Sequence, residues 1–217
     1  MTPPRPRAGR DFVMRHGETV YNRAGRMQGD HPHTPLTRAG FAQADAMGAA
    51  LRDLLGPAPM LAMWSSPAGR ALQTLAVIAE HLELDWHAAR TDVRLVEIGM
   101  GRWSGRYYRD LEAEVGTFVD RAQGLYTRPP DGGEWYDAIE RRVSGWLADT
   151  ADDPGDRLVL MHGMSSRVLR GVMTGQDVLP GFDAPIAPAL PQGSIALIEH
   201  GRETIVHRGT GAHETPT

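Results

Sequence analysis

The sequence "DFVMRHGETVYN", residues 11–22, begins as a short apolar run and turns polar at Arg15. The three apolar residues before Arg15 predict a buried strand, because a strand covered on both faces shows no alternation of apolar and polar side chains. The packing of such a strand gives no reason for a guanidinium and an imidazole at its end. Arg15 and His16 are therefore candidates for contact with a ligand.

A second stretch, "LVLMHGM" at residues 158–164, repeats this order of an apolar strand followed by His162 and Gly163. Ligands of open α/β sheets bind at the carboxyl ends of parallel strands. If the two strands are neighbours, His16 and His162 face each other across one crevice. One histidine at a strand end is most often a structural residue, but two in matched positions favour a functional pair.

Short apolar runs alternate with amphipathic patterns along most of the chain. This order predicts an α/β domain with a mostly parallel central sheet and helices on both faces. Further strands are expected at 60–64, 195–199 and 204–207. Helices are expected at 38–55 with Thr37 as N-cap, from Ser66 as N-cap with Pro67 in the first turn, around 135–147, and at 165–174 before Gly175.

The middle of the chain, about 99–131, is less regular and is expected to form a small insertion or lid beside the sheet. A single domain should span residues 11–208. Residues 1–10 are expected to form a flexible N-terminal extension and residues 209–217 a flexible tail.

The composition excludes several classes of site and partner. The 217 residues contain no cysteine, which excludes disulfides, thiolate nucleophiles and cysteine metal sites. A net charge of −4 and a pI of about 6.1 do not favour nucleic acid or an anionic membrane as a partner. The sequence has no apolar run of the roughly 18 residues that a membrane span requires, and no apolar secretory signal. We therefore expect a cytoplasmic protein.

A third stretch, "SSPAGRALQT" at residues 65–74, places Arg70 in the first turns of a helix near the same edge of the sheet. On its own, Arg70 would be interpreted as a surface residue of that helix. With Arg15, Asn22 and the two imidazoles it forms a set suited to a phosphoryl group, whose transition state spreads charge over three oxygens. Guanidinium groups bind phosphate oxygens, and an imidazole can act as a covalent nucleophile.

At these residues the chain resembles the histidine phosphatase superfamily, the phosphoglycerate mutase-like proteins. Six motifs in the family order carry the resemblance: "MRHGETVYN", "GRMQGDHPHTPLTRAGFAQA", "SSPAGRALQT", "LVEIGMGRWSG", "MHGMSSRVL" and "LPQGSIAL". The resemblance implies the three-layer phosphoglycerate mutase-like fold.

The resemblance also implies roles for the catalytic set. His16 would be the nucleophile that forms a phosphohistidine, and Glu97 would be the acid/base. Arg15, Arg70 and His162 would bind the phosphoryl oxygens. The resemblance implies no metal and no cofactor.

Four further positions are candidates for contact with the substrate or its phosphate. Asn22 and the backbone at Gly163 would assist in binding phosphate. Gln28 resembles a polar residue that faces the substrate, although a loop amide bonded to the backbone explains it equally well. Glu134 resembles the acidic residue of a Gly-Glu-Ser segment in the phosphatase branch, but a favourable charge at a helix N-terminus is the simpler interpretation.

One loop departs from the family pattern, and one set of side chains has two possible roles. The loop "QGDHPHTPLT" is one residue longer than the common form, and its "HPH" is weak evidence for a metal site because further ligands are lacking. The side chains that could line an entrance are equally well explained as packing or surface residues; they are Trp103, Arg106, Tyr107 and Tyr108.

The favoured hypothesis is a metal-independent phosphomonoesterase of the histidine acid phosphatase type, acting on a small phosphorylated metabolite. A phosphoglycerate mutase is the alternative, but mutases resembling this family carry an Arg-Arg-Ser segment that is absent here. A non-catalytic binding protein is disfavoured because the whole catalytic set is present. The sequence does not name the substrate; a homodimer would be common for such a family.

Overall fold

The computed structural model describes residues 7–211, which form a six-stranded sheet with helices on both faces. The strands of this sheet are β1 (Asp11–Arg15), β2 (Leu61–Ser65), β3 (Arg90–Thr91), β6 (Asp156–Met161), β9 (Ile195–Glu199) and β10 (Arg202–His207). Two small hairpins consist of β4 (Val119–Asp120) with β5 (Leu125–Tyr126), and β7 (Val178–Leu179) with β8 (Ala184–Pro185). The helices are α1 (Val20–Ala24), α2 (Arg38–Leu55), α3 (Gly69–His81), α4 (Tyr108–Val115), α5 (Tyr136–Asp149) and α6 (Gly163–Met173), with short 3-10 turns at Trp86–Ala88, Val93–Leu95 and Gly101–Trp103.

The central sheet has the strand order β10-β9-β1-β6-β2-β3. β1, β6, β2 and β3 pair in parallel, whereas β9 pairs antiparallel with β1 and with β10. The α/β class is thus confirmed, and the two antiparallel strands at one end make the sheet mixed. A short turn joins β9 to β10, and a connection this short is compatible only with antiparallel strands.

Alternate residues of β1 enter two different hydrophobic clusters. Val13 packs in the cluster that contains the apolar residues of α5 and α6, and Phe12 and Met14 pack in the cluster of α2 and α3. β6 divides its side chains in the same way, with Val159 on one side and Leu158 on the other. Helices cover both faces, so the strands are apolar throughout and the fold has three layers.

The helix α3 begins later than the sequence predicts. Ser66 was expected as its N-cap and Pro67 in its first turn, but α3 starts at Gly69 after Ala68, without a side-chain cap. The backbone N–H of Ser66 instead donates to the carbonyl of Leu160, which extends the pairing of β2 with β6. The hydroxyl of Ser66 is engaged by a histidine described below.

The other three predicted helices are present. α2 has the predicted bounds, and the hydroxyl of Thr37 caps it by accepting the N–H of Gly40. α5 begins at Tyr136, and α6 begins at Gly163, directly after His162 and earlier than predicted. The early start of α6 places its N-terminus at the carboxyl end of β6.

The region 99–131 forms α4 and the β4–β5 hairpin. Leu111, Phe118 and Leu125 are buried in the same hydrophobic cluster as α5 and α6. This insertion is therefore built into the core on one side of the sheet.

The predictions for residues 1–6 and 212–217 lie outside the described residues. Arg7 and Arg10 belong to the segment expected to be flexible, yet Arg7 pairs with Asp11 and Arg10 pairs with Asp156. Within 7–211, the structure has no helix of the length and apolar character required to cross a membrane.

Candidate active site

The two histidines singled out from the sequence lie side by side at the carboxyl edge of the sheet. β1 and β6 are parallel neighbours in which Arg15 pairs with Met161, so His16 and His162 follow at equivalent positions. Their ring centroids are 5.1 Å apart, and His16 is 2% and His162 0% exposed. Because β1 and β6 are neighbouring strands, His16 and His162 face each other, as the sequence predicted.

Hydrogen bonds determine the tautomer of His16. Its Nδ1 lies 2.7 Å from the carbonyl oxygen of Gly17, which can only accept, so Nδ1 carries the proton. Nε2 therefore keeps its lone pair and accepts the Nε–H of Arg70 at 3.2 Å. Burial, followed by the charges of Arg70 and Arg15, holds the pKa of His16 well below the usual value. The ring is therefore neutral near pH 7.

His162 has the opposite tautomer. Its Nδ1 accepts the Nε–H of Arg70 at 3.1 Å, so its Nε2 carries the proton and donates to the hydroxyl of Ser66 at 2.7 Å. Burial, and next the charge of Arg70, lowers the pKa of His162 well below the usual value. Ser66 therefore orients this ring, a role that was missed when the sequence suggested a helix cap.

Arg70 is fully buried and connects both imidazoles to the loop at 29–34. Its Nε–H faces the two rings, its Nη1 donates to the carbonyl of His31 and the hydroxyl of Thr34, and its Nη2 donates to the carbonyl of Gly29. These contacts fix the plane of the guanidinium. They also show that Arg70 is not the solvated helix residue it would resemble in isolation.

Arg15 ends β1 beside the segment "LPQGS" at 190–194. Its Nη1 donates to the carbonyl of Leu190 at 2.7 Å, and the N–H of Gly193 approaches the carbonyls of Arg15 and His16. Arg15 is close enough to contribute to the lowered pKa of His16, after burial and Arg70. The segment at 190–194 thus holds the backbone of Arg15 and His16 in place.

Gly17 is required by a close contact between the loop after β1 and the start of α2. A Cβ at Gly17 would lie 2.3 Å from the carbonyl oxygen of Gly40, and a Cβ at Gly40 would lie 2.1 Å from that of Glu18. The N–H of Gly17 donates to the hydroxyl of Thr74 on α3. The two glycines let α2 and α3 hold the backbone next to His16.

Glu97 is placed at the N-terminus of α6. It is 6% exposed, and its carboxylate accepts the N–H groups of Met164 at 3.0 Å and Ser165 at 2.9 Å. A third bond comes from the N–H of Ile98 at 2.9 Å. The first N–H groups of a helix have no intrahelical partner and favour a carboxylate. Gly163, the first residue of α6, lies buried between Glu97's partners and His162.

Asn22 and Gln28 are joined by Thr19. The hydroxyl of Thr19 lies 2.8 Å from the Oδ1 of Asn22 and 2.6 Å from the Oε1 of Gln28, and the N–H of Thr19 also donates to Asn22. Both amide oxygens are thus turned toward Thr19. This leaves both NH2 groups as donors, the orientation that binding of an anion requires.

The "HPH" loop brings two imidazoles together without further ligands. The Nδ1 of His31 accepts the N–H of His33, and the rings are 6.5 Å apart. Between residues 7 and 211 there is no group of three or more histidine, aspartate or glutamate residues that could hold a metal ion.

Two of the proposed entrance residues are packing residues. Trp103 is buried against Phe118, and the hydroxyl of Tyr108 bonds to that of Tyr126. The other two, Tyr107 and Arg106, lie at the surface, where Arg106 pairs with Glu114.

The histidine phosphatase superfamily (branch 1) matches residues 12–209 of the chain. The chain is 30% identical over 167 residues to the adenosylcobalamin/alpha-ribazole phosphatase of Salmonella typhimurium, covering 75% of this chain and 79% of that protein. It is 31% identical over 170 residues to a probable phosphoglycerate mutase of Yersinia pestis, with 76% and 74% coverage.

A mycobacterial glucosyl-3-phosphoglycerate phosphatase, solved in complex with VO3, has a similar structure. The TM-score is 0.73 at 25% identity, over 94% of this chain and 100% of that one. The extent of the family match, together with the paired histidines at the edge of a three-layer α/β fold, leads to one conclusion. The chain belongs to the histidine phosphatase superfamily, branch 1.

Proposed function

We propose that the protein is a metal-independent phosphomonoesterase that acts on a small phosphorylated metabolite through a phosphohistidine at His16. The observation that carries the proposal is the neutral His16 ring with its Nε2 lone pair directed at the Nε–H of Arg70. A nucleophile with a lone pair beside a buried cation suits attack on an anionic phosphorus centre. A phosphoryl oxygen would replace His16 as the acceptor for Arg70.

The reaction has two steps. The Nε2 of His16 attacks phosphorus, the bond to the ester oxygen breaks, and the carboxyl group of Glu97 gives its proton to the leaving alkoxide. Water then attacks the phosphohistidine, the Glu97 carboxylate accepts its proton, and inorganic phosphate leaves. Arg15 and Arg70 bind the phosphoryl oxygens during both transfers. His162 joins them once a phosphoryl oxygen has taken up the Nε–H of Arg70, because its proton can then lie on Nδ1 while the Ser66 hydroxyl donates to its Nε2.

Two amides would complete the phosphate site. The NH2 groups of Asn22 and Gln28 are suited to donate to the same phosphoryl group, because Thr19 engages their oxygens. The positive charge comes from guanidinium groups, which is why the proposal includes no metal and no cofactor.

One relative is a probable phosphoglycerate mutase. The competing activity is therefore a mutase reaction, in which the phosphohistidine returns its phosphoryl group to the substrate. Hydrolysis is favoured because the segment after Glu97 lacks the Arg-Arg-Ser run and forms a compact insertion. Efficient interconversion of 2- and 3-phosphoglycerate with little release of inorganic phosphate would contradict this assignment.

The decisive experiment is release of inorganic phosphate across a panel of monoesters, with wild type beside His16→Ala. The panel should begin with alpha-ribazole phosphate and glucosyl-3-phosphoglycerate, which the relatives' names suggest. Turnover by wild type and none by the folded His16→Ala protein is the expected result. Equal rates would refute the nucleophile, and no hydrolysis of any monoester would favour a binding protein.

A further inference from the structure

The backbone that carries Glu97 is held by an ion pair at the N-terminal half of α5. Glu134 precedes α5, and Arg142 lies two turns into it. The Nε of Arg142 is 3.1 Å from the Oε1 of Glu134, and its Nη2 is 3.2 Å from the Oε2. The side chains are 14% and 29% exposed, so this pair is shielded from water more than a surface salt bridge.

Arg142 binds the segment before and at Glu97. Its Nη1 donates to the carbonyl of Arg94 at 2.6 Å, and its Nη2 donates to the carbonyl of Glu97 itself at 3.2 Å. One planar guanidinium therefore bridges two carbonyls of the segment and the carboxylate of Glu134.

Glu134 binds the other end of the segment. Its Oε2 accepts the N–H of Gly99 at 2.8 Å, and its own N–H donates to the carbonyl of Gly99 at 2.7 Å. A Cβ at Gly99 would lie 3.3 Å from the Cγ of Glu134, which shows how closely the two chains approach. No side-chain hydrogen bond caps α5. The carboxylate of Glu134 bonds to Arg142 and to the N–H of Gly99, contacts that a favourable charge at a helix N-terminus does not require.

Glu97 is thus fixed from two sides. The Glu134–Arg142 pair holds its backbone, and the N-terminus of α6 holds its carboxylate. Arg142 also contributes to the lowered pKa of His162, after burial, Arg70 and His16, which places it near the site. We propose that Glu134 and Arg142 are positioning residues that set the carboxylate of Glu97 against the phosphoryl group. The inference rests on the proposed acid/base role of Glu97.

The test compares two monoesters of similar shape that differ in their need for an acid. 4-Nitrophenolate leaves without a proton, whereas the alkoxide of benzyl phosphate requires one. The value of kcat/KM reports the steps up to departure of the alcohol. For Glu134→Gln and Arg142→Met we expect kcat/KM to fall by about 30- to 100-fold for benzyl phosphate, the size of a loss from a misplaced acid. For 4-nitrophenyl phosphate it should change less than about threefold, and Arg142→Lys should restore part of the loss.

Arg141→Met is the matched control, because Arg141 lies next to Arg142 on α5 and pairs with the exposed Asp137. This variant should keep wild-type kcat/KM with both esters. Thermal unfolding of every variant ensures that rates are compared for folded protein. Equal losses for both esters, or no loss for either, would overturn the positioning role.

Glu97→Gln separates this inference from the proposed function. One outcome is that Glu97→Gln alone loses kcat/KM for benzyl phosphate selectively, without the same loss in Glu134→Gln and Arg142→Met. In that case the positioning role is wrong while the acid/base assignment stands. If Glu97→Gln is itself unselective, both the acid/base assignment and the positioning role are wrong.

Discussion

His16 and His162 are the same residue type at equivalent strand ends, yet their protons lie on different nitrogens. The carbonyl of Gly17 requires Nδ1–H in His16, while Arg70 requires a lone pair on Nδ1 of His162. One ring is left with a lone pair on Nε2 and the other with an N–H donor directed at Ser66. The neighbours of each ring, rather than its sequence motif, therefore decide its chemistry.

Removal of the Ser66 hydroxyl should leave the buried Nε2–H of His162 without an acceptor. For Ser66→Ala we expect the free energy of unfolding to fall by about 1–3 kcal/mol, the cost of an unsatisfied buried donor. Urea unfolding measures the change. Ser144→Ala, which removes a hydrogen bond to Glu140 on α5, is the control and should stay within about 0.5 kcal/mol of wild type. Equal effects would show that Ser66 has no special part in holding His162.

The two buried imidazoles should make the protein less stable in mild acid. Burial and nearby arginines lower the pKa of His16 and His162 in the folded state, while in the unfolded chain both rings take up a proton at about pH 6.5. Below that pH the unfolded state binds more protons, so the free energy of unfolding decreases as pH falls. Each ring contributes a slope of up to about 1.4 kcal/mol per pH unit. Urea unfolding between pH 7.5 and 5.5 should show a shallower decline in His16→Ala; identical slopes would contradict the linkage.

At the scale of elements, the contact between the loop after β1 and α2 fixes the position of His16. Gly40 and Gly145 are both helical glycines, but they have opposite surroundings. A Cβ at Gly40 meets the backbone of Glu18 at 2.1 Å, whereas the nearest atom to a Cβ at Gly145 is 3.8 Å away.

Gly40→Ala should destabilise the fold by about 1–3 kcal/mol, because the added methyl group forces the backbone apart. It should also lower turnover, since the displaced residues follow His16. Gly145→Ala should instead stabilise the fold by about 0.4–1 kcal/mol through the higher helix propensity of alanine. Denaturant unfolding and phosphate release check both. A neutral Gly40→Ala would show that α2 can move away without consequence.

The bounds of helices were predicted well where local periodicity and capping determine them. They were predicted poorly where a side chain bonds to a residue of a distant element. α2 has the predicted bounds because its apolar face and Thr37 cap are local signals. The start of α3 was wrong because Ser66 resembles a cap, and its bond to His162 connects positions 96 residues apart. The contacts of Glu134 with Gly99 join positions 35 residues apart, so the resemblance to a Gly-Glu-Ser segment marked Glu134 but not its partner.

At the scale of the whole molecule, the site forms where the two helical layers meet the edge of the sheet. Arg70 comes from α3 on one face, and Glu97 is held by α5 and α6 on the other. The order of strands and helices predicted Arg70 at this edge, where strand ends converge in a parallel sheet, whereas Glu97 was implied only by the family resemblance. The sequence did not give the geometry of the loop at 29–34, because Arg70, which holds the carbonyls of His31 and Gly29, lies 39 and 41 residues further along the chain.

The two arginines of the site, Arg15 and Arg70, lead to a prediction about the need for a metal. Phosphate release should be unaffected by prolonged dialysis against EDTA, because Arg15 and Arg70 supply the positive charge that the phosphoryl oxygens need. The measurement is turnover before and after dialysis, with and without added Mg²⁺, Mn²⁺ or Zn²⁺. Loss of turnover that an added metal restores would contradict the proposal.

The way Arg70 holds the loop at 29–34 has an evolutionary consequence. The guanidinium binds the main-chain carbonyls of Gly29 and His31, so the anchoring is indifferent to most side chains of the loop. The side chains of Asp30, Pro32 and His33 can change in an evolving lineage while these main-chain bonds of Arg70 are preserved. A gene duplicate that changes only these side chains would thus inherit the arrangement of Arg70 and the two histidines intact.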